Sequence, residues 1–205
     1  MPNLLTYAAR AIPWWRVGVA AALVAVIMEL VRWHPWTLWP LEGTAVGLLA
    51  GASAWCADEQ SAAVVDGAPR GLGWRTLARL TGVVVLIAVW AAVVAHGRYE
   101  MFGHASTVLL HGLVAIAAGL AWATWRRSMG EAMPGLATAS VAVPLATAWA
   151  IVRPWEHRVP VFPYGEFGVA DDWRLSAVLW AALAAAALLL IAYAVIEMRW
   201  VRKRA

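Results

Sequence analysis

Six separate apolar stretches divide this chain from end to end, and each is close to the length a helix needs to cross a bilayer. That length is about 20 mainly apolar residues. The stretches are 14–31, 39–55, 77–95, 105–125, 136–152 and 175–198. Between them lie short connections and two longer ones, 57–76 and 153–174. Composition agrees: 63% of the 205 residues are hydrophobic and only 14% charged, with a mean hydropathy of +0.69. A soluble domain is nearer half apolar and a quarter charged. The expected fold is therefore an all-α membrane protein of six transmembrane helices, with 1–205 as a single transmembrane domain. The first stretch could pass for a signal peptide, but no small-residue cleavage site follows it. It reads as a retained anchor.

Counting removes several chemistries. The one cysteine, Cys56, permits neither an intrachain disulfide nor a cysteine-cluster metal site. The one lysine is Lys203, far from any glycine-rich loop, so the chain has no phosphate-binding P-loop of its own. No nucleophile–base–acid set is readable, and the chain is expected not to be an enzyme. The net charge of +4 is read as charge placed at a bilayer, not as a sign of a nucleic-acid partner.

Placing the basic residues gives a sidedness. With the N-terminus inside and six alternating spans, the inner segments hold eleven: Arg10, Arg16, Arg70, Arg75, Arg79, Arg126, Arg127, Arg199, Arg202, Lys203 and Arg204. The outer segments hold five: Arg32, Arg98, Arg153, Arg158 and Arg174. Excess basic charge marks the cytoplasmic side, so both termini are expected in the cytoplasm, across a bacterial inner membrane. Fourteen of the 15 tryptophans fall into two belts at the span ends, as interfacial indoles do. Trp90 and Trp173 are assigned to the outer belt, and Trp180 alone lies inside a span.

The inner connection after the second stretch carries the most specific pattern. Asp58 suits a helix N-cap, Glu59 suits its first turn, and Gly67 with Pro69 is a stop signal. A short helix at the cytoplasmic face follows from this. Arg75 and Arg79, four apart, share a face on the way into the third stretch. The plain alternative is a capped surface loop with snorkelling arginines.

These residues resemble the membrane subunits of ABC-2-type transporters. That family has six spans with both termini inside, and an acidic residue after the second span. A short coupling helix, a proline and a basic lead-in to the third span come next. Glu59, Pro69 and Arg75 stand in those places. The resemblance implies a permease subunit without bound cofactor, whose ATP is bound by a separate nucleotide-binding ATPase subunit. That subunit would dock on 57–76, with Asp58, Glu59, Gln60, Asp66, Pro69, Arg70, Arg75 and Arg79 as the docking residues. It also implies a second membrane subunit, in a homodimer or a heterodimer.

Gly43, Gly47 and Gly51 form a small-residue stripe in the second stretch, and Gly112 and Gly119 form another in the fourth. Such stripes let helices approach closely, within one subunit or between two. Pro144 should kink the fifth stretch toward the bundle or a cavity, where its freed carbonyl finds a partner. Glu29 and Arg32 read as a local interfacial pair that Glu42 could join, with a proton or substrate contact as the sharper reading. His34, His96, His104, His111 and His157 all fall at or near the outer face. They are the candidate outer site for a metal or a haem, which gives the alternative of a redox membrane protein. A structural subunit of a larger membrane complex is the remaining alternative.

Overall fold

The computed structural model describes residues 4–59, 72–154, 158–163 and 170–204. Those residues form helices and turns, with no strand among them. The helices are α1 (Leu4–Ala11), α2 (Trp14–Trp33), α3 (Leu38–Trp55), α4 (Leu72–His96), α5 (Ala105–Ser128), α6 (Pro134–Val152) and α7 (Ala170–Arg204). Short 3-10 turns at Pro35–Thr37 and Arg98–Glu100 lead out of α2 and α4.

Five helical segments are long and apolar enough to cross a membrane: Trp14–Trp33, Trp74–His96, Ala105–Ser128, Pro134–Val152 and Asp172–Ala194. Their outward faces fit lipid. Val19, Leu23, Val26 and Leu30 on α2, and Leu188 and Leu189 on α7, are all exposed. An apolar surface of this kind suits a bilayer and not water.

The second apolar stretch differs. Its helix α3 is not one of those five. Trp39, Pro40, Glu42, Thr44 and the three glycines dilute its apolar content. It is instead an enclosed helix, buried along most of its length and packed on α6, α5 and α2. The glycines permit this. A Cβ at Gly43 would lie 2.5 Å from the Ala146 carbonyl oxygen, one at Gly47 2.8 Å from Val143 Cα, and one at Gly51 2.8 Å from Ala139 Cβ. Gly119 likewise lets α5 sit against the Ala50 carbonyl of α3, and Gly112 makes room for the Trp90 indole. Both glycine stripes are therefore consumed in packing this chain on itself.

Two further expectations change. Trp90 is not an interfacial indole but a fully buried one, and its Nε1–H donates to the Leu109 carbonyl at 3.0 Å. The space above Gly112 draws it inward. Pro144 does not turn toward the bundle. It is exposed, as are Val141 and Leu145 beside it, so the proline side of α6 faces outward. The glycines of α3 claim the other side.

Candidate functional site

Polar groups are buried at both ends of α3, and roughly 20 Å of helix separates Glu42 from Trp55. Beyond Trp55 the chain turns, and Asp58 and Glu59 point into the bundle. Glu59 is the hub. Its Oε1 accepts from the Tyr7 hydroxyl at 3.1 Å and faces Arg79 Nη2 at 3.1 Å. Its Oε2 accepts from Arg75 Nη1 at 2.8 Å and Arg127 Nη2 at 3.0 Å. The Glu59 backbone N–H donates to the Ala132 carbonyl at 2.9 Å. Glu59 and the three arginines are each at most 5% exposed.

Local sequence explains the convergence. Arg75 and Arg79 are one turn apart on α4, so their side chains reach the same point. Arg127 sits in the last turn of α5, where a cation suits the helix dipole. Arg79 Nη1 also donates to the Ala57 carbonyl at 2.9 Å, which fixes the turn. Burial alone would raise the Glu59 carboxyl. Arg79, then the hydrogen bond from Arg127, then Arg75 outweigh that and hold it below the usual carboxylate range. Burial pushes the Tyr7 hydroxyl up, and drives the Cys56 thiol beneath the cluster to about 12. A cavity of about 10 Å³ bordered by Arg79, Thr124 and Arg127 has room for about one water.

Asp58 performs a task different from the one expected of it. Its Oδ1 accepts from the Gly135 N–H at 2.6 Å, in the first turn of α6, and its Oδ2 lies 3.5 Å from Arg16 Nη1. It thus caps a remote helix, where one of the first N–H groups has no partner within the helix. Burial pushes its carboxyl up, against the pull of that N–H and of Arg16. Of the docking residues expected from the sequence, Asp58, Glu59, Arg75 and Arg79 are therefore buried against partners in this chain. They offer no exposed contact face. Gln60, Asp66, Pro69 and Arg70, with the expected short helix, lie outside the described residues.

At the other end of α3, Glu42 does not join Glu29 and Arg32. Those two form a local pair, with Arg32 Nη2 at 2.6 Å from Glu29 Oε1, and Trp33 Nε1 also donates to Glu29. Glu42 Oε1 instead lies 2.8 Å from His111 Nδ1, and His111 Nε2 lies 3.1 Å from Ser176 Oγ. All three residues are 0% exposed. Ser176 Oγ donates to the Val161 carbonyl at 3.0 Å, and Trp180 Nε1 donates to the same oxygen at 2.9 Å. A chain of hydrogen bonds thus runs from α3 through α5 and α7 to the segment 158–163.

The order carboxylate–imidazole–hydroxyl is that of a serine nucleophile and its base. The protons say otherwise. A hydroxyl has one proton, and in this arrangement Ser176 donates it to the Val161 carbonyl, so its oxygen accepts from His111 when the imidazole carries its hydrogen on Nε2.

The four described histidines do not assemble. His111 is taken up by Glu42 and Ser176. His104 stacks on Trp173 with centroids 3.7 Å apart, and burial lowers its pKa. His96 lies 3.6 Å from Glu29, and His34 is exposed at the end of α2. His157 lies outside the described residues. Among the described residues no group of three His, Cys, Asp or Glu side chains could hold a metal ion.

The reading of the sequence passed over Tyr7, Arg127 as a partner of Glu59, and Ser176. One signal was present for Glu42 and His111. A carboxylate inside an apolar stretch needs a partner, and His111 is the one histidine inside such a stretch. Compared with known proteins, the chain matches no family model, no curated protein and no solved structure.

Proposed function

We propose that this chain is a non-enzymatic membrane subunit of an ABC-2-like transporter, and that a separate ATPase subunit engages the segment 57–76. The observation that supports the reading is the Glu59 hub. One carboxylate, at the head of that segment, is bonded to α1 through Tyr7, to α4 through Arg75 and Arg79, and to α5 through Arg127. Its neighbour Asp58 reaches α2 and α6. A displacement of the segment would pass to five helices at once, as a device that converts ATP-driven motion into helix motion requires. In this reading the buried carboxylates and arginines transmit force, and the docking contacts come from the rest of the segment. The chain resides in a bacterial inner membrane with both termini cytoplasmic and α3 as the sixth span. Its pairing surface with a second membrane subunit is an outward apolar face, since the glycine stripes are already occupied.

Affinity purification of the tagged chain from its native membranes in mild detergent tests this. A nucleotide-binding ATPase subunit should co-purify. The double charge reversal Asp66→Arg with Arg70→Glu should reduce its recovery without changing the melting temperature of the chain. Purification with no nucleotide-binding protein would contradict the proposal, and so would recovery indifferent to the reversals.

The histidine-based metal or haem reading gains no supporting geometry from His34, His96, His104 and His111, which engage separate surroundings.

A further inference from the structure

The hydrogen-bond chain from Glu42 to Val161 belongs to neither the Glu59 hub nor the 57–76 segment. We propose that Glu42 and His111 form a proton-binding site whose occupancy decides whether the segment 158–163 stays seated on the bundle.

The argument is a count of protons. The Val161 carbonyl can only accept, so Ser176 donates to it. Ser176 then has no proton left for His111, so His111 Nε2 carries a hydrogen and donates to Ser176 Oγ. At the other ring nitrogen, Nδ1 and Glu42 Oε1 are 2.8 Å apart and share one proton, written on either atom. With that proton the pair is neutral as a whole, as an apolar site favours.

Remove it, and the chain cannot keep both ends. If the remaining ring hydrogen stays on Nε2, the bare Nδ1 faces a carboxylate, lone pair against lone pair. If it moves to Nδ1 to satisfy Glu42, Nε2 becomes an acceptor. Ser176 must then turn its hydroxyl toward His111 and release the Val161 carbonyl. The second arrangement keeps the charge-assisted bond and gives up the neutral one, and charge-assisted bonds are the stronger. Deprotonation in the core is thereby converted into the loss of one bond to the 158–163 segment. Among the described residues, the Trp180 Nε1–H still donates to the Val161 carbonyl.

Aromatic and apolar side chains pack against the switch. Phe162 meets the His111 ring edge-on, with centroids 5.9 Å apart, and Trp180 stacks on it at 4.8 Å. Val46 of α3, Val114 and Ala115 of α5, and Ala150 of α6 belong to the same apolar cluster. Of the charged and titratable groups on the same elements, Arg153 at the end of α6 stacks on Trp39 of α3, His104 stacks on Trp173 of α7, and Asp172 lies one turn before Ser176 on α7.

The test is hydrogen exchange of the full chain in lipid nanodiscs, read at the Val161 and Phe162 amides from about pH 5 to about pH 9. Rates are corrected for the intrinsic pH dependence of exchange. Protection should fall about fivefold as the pH rises, the loss of one hydrogen bond. Glu42→Gln should remove the dependence and leave the segment protected throughout. Its amide N–H donates to Nδ1 at every pH and keeps the Nε2 hydrogen on Ser176. Ser176→Ala should remove the dependence in the opposite sense, with low protection throughout. A wild-type profile that is flat, or that rises with pH, overturns the proposal by itself. So does a folded Glu42→Gln protein that keeps the wild-type dependence.

Discussion

Glu59 and Glu42 lie near opposite ends of α3, and each carboxylate is buried among hydrogen-bond partners. Around Glu59 the charged partners are guanidiniums, the side-chain class that keeps its proton at every accessible pH. Around Glu42 one partner is an imidazole, a group that can carry a hydrogen on one ring nitrogen or on both. The first arrangement can only hold, and the second can also release. The same burial therefore makes a fixed joint at one end and a switch at the other. The difference lies in the acid strength of the partner, not in the carboxylate.

The largest way to break this comparison is Glu59→Gln. It leaves three buried guanidiniums without their shared carboxylate, and removing one partner of a buried ionic group costs about 3–5 kcal/mol. The expected outcome is a large fall in the thermal midpoint of the purified chain, or loss of folded protein. Next is Gly47→Leu. It places a side chain where a Cβ already meets Val143 Cα at 2.8 Å. Overpacking of this kind costs about 1–3 kcal/mol, and the same melt should show it. Were α3 a lipid-facing span, the change would be tolerated.

Acid distinguishes the ends next. The Glu59 carboxyl is held below its ordinary value, so its contribution is complete above the unfolded value of about 4.3. It is lost as the pH falls through the lower native value. Hydrogen exchange at the Glu59 amide, corrected for intrinsic rates and read in an Asp58→Asn background that removes the neighbouring carboxyl pushed up by burial, should stay constant from neutral pH down to the ordinary carboxylate range and change only below it. Glu42→Gln is expected to shift stability by no more than about 1 kcal/mol, because an amide replaces the shared proton by a hydrogen bond. The smallest effect belongs to Glu29→Gln. Its pair with Arg32 is open to the surroundings, and the melting midpoint should not move.

The helices were largely legible from the sequence, and their partners were not. The stretches 105–125 and 136–152 correspond to Ala105–Ser128 and Pro134–Val152, because the length of an apolar run is a local property. The enclosure of α3 was foreshadowed by its glycines, whose spacing marks a close-packed face without saying against what. Residues 4–11 fall outside the six apolar stretches, yet they form α1, with Ala8 buried and Tyr7 on Glu59. The sites required contacts across 69 residues for Glu42 with His111 and 68 for Glu59 with Arg127. Periodicity gives the face of a helix, but not the helix that face will meet. Grouping Glu42 with Glu29 followed nearness in sequence. Burial instead paired it with the histidine that shared its depth.

Hydrogen exchange of the wild-type chain at neutral and alkaline pH, in one sample, tests the contrast most directly. It reads the Glu59 amide, which donates to Ala132, beside the Val161 amide, which donates to Val159. After correction for intrinsic rates, protection at Glu59 should be the same at both pH values while protection at Val161 falls severalfold. Equal loosening at both amides, or loosening at Glu59 alone, would contradict the assignment of a fixed joint to one end and a proton switch to the other.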